Sequence, residues 1–163
     1  MAVVEWIAAG AVFIAGIVIG AVLARKKSLG GRRQRQLAEA KLQFHRMREQ
    51  LEAKFLQRAA LTGKPRGLRW ADCEFENDVT YARDRKTRQL RAFVAVSIKF
   101  EAIPGGGMEE VEAVNNAKYA TAVFYYDPRQ LWTPDPQPIF NLNPTEAVRR
   151  FEATLEPVEA TSV

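Results

Sequence analysis

The sequence predicts an α+β protein with a single N-terminal transmembrane helix, a helical stalk and a small antiparallel β-meander domain that ends in one helix. Three observations lead to this prediction. Residues 6–24 carry no charged side chain, residues 37–62 are rich in helix-forming residues, and residues 90–101 show an apolar period of two. The predicted order is an extracytoplasmic N-terminus (1–5), a span (6–24), a basic juxtamembrane segment (25–36), a stalk (37–62), a linker (63–67), the domain (68–156) and a flexible tail (157–163).

Residues 6–24 are long enough to cross a bilayer as a helix. A hydrocarbon core of about 30 Å takes roughly 20 residues that rise ~1.5 Å each. Positive charge follows the span directly, at Arg25, Lys26 and Lys27. Cytoplasmic flanks carry an excess of positive charge, so the N-terminus is expected outside and the domain in the cytoplasm. A cleaved signal peptide is the competing interpretation, and it is disfavoured because its charge should precede a shorter apolar run.

The net charge of +5 is unevenly distributed along the chain. Residues 1–24 carry −1, residues 25–65 carry +9 and residues 66–163 carry −3. Basic side chains beside an anionic leaflet are attracted to it. The residues expected to contact anionic lipid headgroups are Arg25, Lys26, Lys27, Arg32, Arg33 and Arg35. Nucleic acid is disfavoured as a partner, because this basic run has no interleaved aromatic residues on which bases could stack.

Apolar residues in the stalk are spaced by alternating steps of three and four. They are Leu37, Ala40, Phe44, Met47 and Leu51. This spacing is typical of a heptad seam and predicts a short parallel coiled coil, which would make the protein a homo-oligomer. Two alternatives stay open: an amphipathic helix packed on its own domain, or one lying at the membrane surface. Gly63 and Pro65 predict that the helix ends in the linker.

Strand-forming segments separated by turn residues predict the antiparallel meander. Strands are expected at residues 68–75, 79–82, 90–101, 111–113, 119–126, 131–132 and 139–142. The strand at 90–101 is the clearest, because apolar side chains occupy every second position. Turns are expected at residues 83–88, 103–108 and 127–130, and a proline-rich loop at 133–138.

The C-terminal helix has a sharp start signal. Asn143 suits the N-cap, Pro144 the first helical position, and Glu146 can bond back to the cap backbone. The apolar side of this helix is expected to comprise Ala147, Val148, Phe151 and Leu155 and to pack on the sheet.

The sequence predicts no catalytic residue, no metal ligand set and no cofactor. It contains one histidine, His45, and one cysteine, Cys73. A zinc site needs three or four such ligands. Nucleophilic catalysis by a Ser/His/Asp or Cys/His arrangement would need His45 as its base, and His45 lies in the predicted stalk. A lone cysteine cannot form an internal disulfide, which fits a reducing compartment.

The order of segments predicts a membrane-anchored scaffold or adaptor that presents its domain to an unidentified protein partner. The alternative is a small-molecule sensory domain, and an enzyme that uses carboxylates is disfavoured by the single His and Cys. Four aromatic residues are candidates for a ligand or partner surface: Trp70, Tyr125, Tyr126 and Trp132. Such residues more often fill a core than line a pocket.

Overall fold

A computed structural model describes residues 31–62, 67–114 and 116–158 of the 163-residue chain. The chain divides into two compact units, residues 1–45 and residues 46–163. The described part of the first unit belongs to a helix, α1, which covers residues 31–46. The second unit contains the sheet.

The predicted membrane topology is corrected by the structure. In the ranges described, no helix is long and apolar enough to cross a membrane. This finding contradicts the predicted fold class with its transmembrane helix, and also the single-pass membrane localisation with a cytoplasmic domain. Residues 1–30, which include the expected span at 6–24, lie outside the described residues.

The second unit consists of one antiparallel sheet with a helix on each face. Its elements are α2 (Arg48–Thr62), β1 (Leu68–Asp84), β2 (Leu90–Ala102), a 3-10 turn (Glu112–Val114), β3 (Lys118–Asp127), β4 (Leu131–Pro134), β5 (Ile139–Phe140), α3 (Pro144–Arg150) and β6 (Leu155–Pro157). The strand order is β4-β3-β2-β1-β6, and β5 pairs with β3 beyond the end of β4.

β1 and β2 form a long hairpin that dominates the sheet. The two strands expected at 68–75 and 79–82 are one continuous strand, because residues 76–78 form an irregular stretch within β1. A second irregularity places Ala71 as an extra residue between the Trp70–Phe100 and Asp72–Lys99 pairs. Such bulges bend a strand and increase its twist without ending it.

Helix α2 covers one face of the sheet. Its buried side chains, Leu51, Phe55 and Ala59, recur every four residues and therefore form one stripe. The Phe55 ring lies 5.7 Å from that of Phe75 and 6.2 Å from that of Phe124, measured between centroids. The alternative in which the amphipathic helix packs on its own domain is confirmed for α2.

The coiled-coil stalk is contradicted. The described helices are short, and the apolar stripe of α2 is covered by β1 and β4 of its own chain. Leu51, which was expected on the seam, is fully buried within that packing. Apolar residues recur roughly every 3.5 residues in a heptad seam and roughly every 3.6 residues in a straight helix that packs on a sheet. The local pattern therefore fits both arrangements.

Helix α3 packs on the sheet, as expected, and it covers the face opposite to α2. Its Ala147 and Val148 pack with Phe93 of β2 and Val123 of β3 in one buried cluster. The capping box is confirmed: Asn143 Oδ1 accepts from Glu146 N at 2.8 Å, and Glu146 Oε2 accepts from Asn143 N at 3.2 Å.

Two expectations about elements of the domain were wrong, one at its C-terminal end and one between β2 and β3. Helix α3 ends at Arg150, so Phe151 is 42% exposed at its C-terminus, while Leu155 is buried in the short strand β6. Pairing of Leu155 with Asp84 of β1 supplies backbone partners that a longer helix would forgo. The return strand expected at 111–113 is also absent from the described chain, which forms a 3-10 turn there.

Candidate functional site: the open β1 edge and its groove

The four aromatic residues predicted as a binding surface do not form one surface: Tyr126 and Trp132 are in contact, while Trp70 and Tyr125 lie elsewhere. Trp132 is buried, with its ring 5.2 Å from that of Tyr126, while Trp70 packs against Phe55 and Phe100. Tyr125 neighbours Tyr126 on β3 and therefore faces the other side of the sheet. Three of these residues thus belong to the core beneath α2 and its surroundings.

Most residues predicted to contact lipid headgroups or to form the stalk seam lie in the first unit or outside the described residues. Arg25, Lys26 and Lys27 are outside the described residues. The remaining headgroup candidates, Arg32, Arg33 and Arg35, are exposed on α1. Of the predicted stalk residues, Leu37, Ala40 and Phe44 also lie on α1, and Met47 lies between α1 and α2.

A polar network at the β1–β2 turn has a structural role. Asp84 accepts backbone bonds from Lys86 and Thr87 at 2.9 Å each, and its other oxygen meets Arg91 at 2.5 Å. The bond from Thr87 and that from Lys86, with the Arg91 charge, lower the pKa of Asp84. Arg85 donates to the backbone oxygens of Glu152 and Leu155, and Arg88 donates to the carboxylate of Glu156. The basic turn is therefore mostly occupied in holding β6.

The same network extends across the sheet to Tyr125. The Arg91 guanidinium lies 5.1 Å from the centre of the Tyr125 ring, and Tyr125 donates to Asp135 Oδ2 at 2.6 Å. Burial and the Asp135 carboxylate raise the pKa of Tyr125 to about 12. A general acid or base needs a pKa near the working pH, so this arrangement suits a structural tie better than proton transfer.

Cys73 and the carboxylates do not form a reactive or metal-binding centre in the residues described. Burial, together with the Asp72 charge, raises the pKa of the Cys73 thiol to about 12, so the thiolate is scarce at neutral pH. No group of three or more His, Cys, Asp or Glu side chains has the geometry to hold a metal ion there.

The most distinctive surface of the second unit is the outer edge of β1. On that side β1 pairs with β6 only through residues 82–84, and Tyr81 O accepts from Val158 N at 2.9 Å. Over residues 68–80, no strand in the described chain pairs with this side. We call this stretch the β1 edge. The opposite margin of the sheet differs, because β4 is only four residues long and its Pro134 carbonyl accepts from Arg58.

The ladder identifies which backbone groups the β1 edge presents. Gln89, just before β2, accepts a backbone bond from Asp84 of β1, and Ile103, just after β2, donates one to Gly67, just before β1. Along an antiparallel strand, the backbone groups of successive residues point alternately to the two sides of the strand. The backbone groups of Lys99 and Ser97 therefore also point towards β1. Those of their partners, Asp72 and Glu74, point towards β2. It follows that Cys73 and Phe75 direct their backbone groups outward. The outward N–H of Cys73 donates to Asp72 Oδ1 at 2.9 Å.

A groove of about 460 Å³ lies on the α3 face, next to the β1 edge. Glu76 of β1, Ala95 of β2 and Tyr119 of β3 line it, together with Asn141 before α3 and Glu146 in the first turn of α3. The Tyr119 side chain is 70% exposed. Because Tyr119 pairs with Ser97, which pairs with Glu74, the groove and the β1 edge share one face of the sheet.

Comparisons with known proteins leave the site to be judged on its geometry. No protein-family model, no curated protein and no solved structure matches this chain.

Sequence reasoning missed both the edge and the groove. The acidic, alternating run around Asp72 and Glu74 is visible in the sequence, and it was the available signal that this strand differs from its neighbours. Whether a strand is central or at the edge depends on partners far away in the chain.

Proposed function

We propose that the second unit is a protein-interaction module that binds an extended segment of a partner along the β1 edge. The observation that supports this function is the stretch of β1 over residues 68–80, which has no strand partner on its outer side among the described residues. Backbone N–H and C=O groups at a sheet edge without a strand partner are a template for an added strand, which gains main-chain hydrogen bonds. At Cys73 the added strand would replace the Asp72 side chain as the acceptor of the outward N–H. A scaffold or adaptor role was predicted from the sequence, and this edge is a physical means for it.

The packing beneath the edge favours a rigid docking site. Phe75 is held from below by Phe55, whose side chain is fully buried. The Arg48 guanidinium donates to the carbonyl oxygens of Glu76 and of Asn77, the latter at 2.6 Å, and so ties the irregular stretch of β1 to α2. A pre-ordered strand loses less conformational entropy when a partner is added.

The alternative function, binding of a small molecule among aromatic side chains, has weaker support. The rings that were expected to line such a pocket, Trp70 and Trp132, pack against other aromatic side chains. The groove beside Tyr119 is of ligand size but shallow and partly lined by carboxylates.

Site-specific photocrosslinking in the full chain tests the proposal. A benzophenone amino acid replaces Ala71, the exposed extra residue on the β1 edge, and in a control replaces Gln130, an exposed residue in the β3–β4 turn. Crosslinks from position 71, but not from 130, are expected to map to an extended partner segment. A synthetic peptide of that segment should slow amide hydrogen exchange in residues 68–80. Equal crosslinking at both positions, or unchanged exchange there, would contradict edge binding.

A further inference from the structure

We infer that the segment bound by the β1 edge is basic, with Lys or Arg at alternate positions facing the α3 side of the sheet. This inference rests on the proposed function and adds the chemistry of the partner. It follows from the charges along the edge, from their incomplete neutralisation by the described residues, and from Glu76 at the rim of the groove beside them.

Carboxylates line the edge on the face that an added strand would share. Asp72 pairs with Lys99 and Glu74 with Ser97, so these two acidic side chains project on the same face. Their side chains are 56% and 72% exposed. Glu76 follows at the groove. We call Asp72, Glu74 and Glu76 the acidic strip.

The acidic strip is only partly neutralised by the domain itself. Lys99 Nζ lies 3.7 Å from Asp72 and 3.8 Å from Glu74, so one ammonium group is shared by two carboxylates. Arg69 bonds to Glu101 at 2.5 Å. Arg48, which touches the backbone at the irregular stretch, is balanced by Glu52 at 2.7 Å. Negative charge therefore remains along the edge.

This charge discriminates between occupants of the edge. A second copy that paired through its own β1 edge would place one acidic strip near the other, which is unfavourable. Acidic residues at an edge are thus a device against self-pairing. The same residues attract a strand whose side chains at alternate positions are cationic, because those side chains would lie beside the carboxylates.

The rim of the groove adds one more carboxylate to the edge. Glu76 of β1 lines the groove and follows the other two acidic residues, so a Lys or Arg of an added strand can meet its side chain there. Tyr119 lies on β3, two strand spacings of about 4.8 Å from β1 and three from an added strand, so one side chain of that strand does not reach its ring.

The test measures binding of three fluorescent peptides to the full chain by anisotropy. The peptides alternate Thr with Lys, with Gln or with Glu, so they share strand propensity and differ in charge. The Lys peptide is expected to bind about tenfold more tightly than the Gln peptide, since several exposed ion pairs add modest increments. The Glu peptide should bind most weakly. A rise in ionic strength should reduce the difference.

Matched variants locate the effect. D72N/E74Q should reduce binding of the Lys peptide towards that of the Gln peptide, whereas E110Q/E112Q, which removes the same charge from exposed residues before and in the 3-10 turn, should leave it unchanged. Glu76→Gln should weaken binding of the Lys peptide selectively, whereas Tyr119→Ala, on β3, should leave it unchanged. An equal loss in both double variants would show that net charge alone matters, and would overturn the inference.

The two proposals fail in different ways. If the Gln peptide binds as tightly as the Lys peptide and both slow hydrogen exchange in residues 68–80, the edge binds strands but the basic preference is wrong. If the Lys peptide binds equally well when its edge-facing amides are N-methylated, strand addition itself is wrong and the proposed function fails with it. If the chain instead forms a dimer through β1 when a peptide is added, a second copy and not a basic segment occupies the edge, and the inference is wrong.

Discussion

Replacement of Phe55 by alanine is the sharpest test of how α2 is held. Phe55 is fully buried, and its ring meets those of Trp70 and Phe124 at 6.2 Å and that of Phe75 at 5.7 Å. Truncation of a buried Phe costs about 3–5 kcal/mol. The aromatic pairs lost with it place Phe55→Ala near the top of that range. For a unit of this size, a loss of about 3–5 kcal/mol corresponds to a fall in Tm of roughly 12–20 °C, and the upper end is expected here.

The matched control is Phe151→Ala, since Phe151 is 42% exposed. Its truncation should lower the free energy of unfolding by about 1 kcal/mol, because much of the ring already contacts water. Urea unfolding of the full chain, followed by far-UV circular dichroism at several protein concentrations, gives both values. Similar losses for the two variants would refute the packing of α2 on the sheet. A loss for Phe55→Ala that depends on protein concentration would instead indicate an intermolecular seam.

Two further predictions concern the cap of α3 and the β1–β2 turn. Asn143→Ala removes the acceptor for Glu146 N and should cost about 1 kcal/mol in urea unfolding, while Asn143→Asp should retain most of that stability; equal losses would refute the cap. The pKa of Asp84 is lowered in the folded state, so its stabilisation is complete above the ordinary Asp value and is lost as pH falls through the lowered one. The urea midpoint of the wild type should therefore fall more between neutral and strongly acidic pH than that of Asp84→Asn, and parallel curves would contradict this.

The candidate site could be predicted from the sequence only in its ingredients. Asp72 and Glu74 are separated by one residue, and a strand necessarily places them on one face. That this face also carries Tyr119 depends on two successive strand pairings, β1 with β2 and β2 with β3. The groove also requires that the segment before α3 place Asn141 and Asn143 beside these strands. No local sequence pattern encodes these strand pairings or the residues that line the groove.

The stalk shows why one sequence pattern can support two structures. Leu51 completes the heptad seam that begins at Leu37, and the same residue begins the stripe that continues through Phe55 and Ala59. Both patterns satisfy the requirement that a helix bury one apolar face. A sheet in the same chain is held at high effective concentration, so α2 buries that face there.

The sequence by itself determined the local features: the period of two in β2, the capping box at Asn143 and the turns around Asp84 and Asp127. These depend on contacts within a few residues. Only the tertiary structure decided that β1 is continuous through its bulges and that Leu155 lies in a strand that pairs with Asp84. It also decided that no strand of the described chain pairs with the outer side of residues 68–80. Such pairings join residues far apart in the chain, where the free energy of burial and of satisfied backbone groups outweighs local propensity.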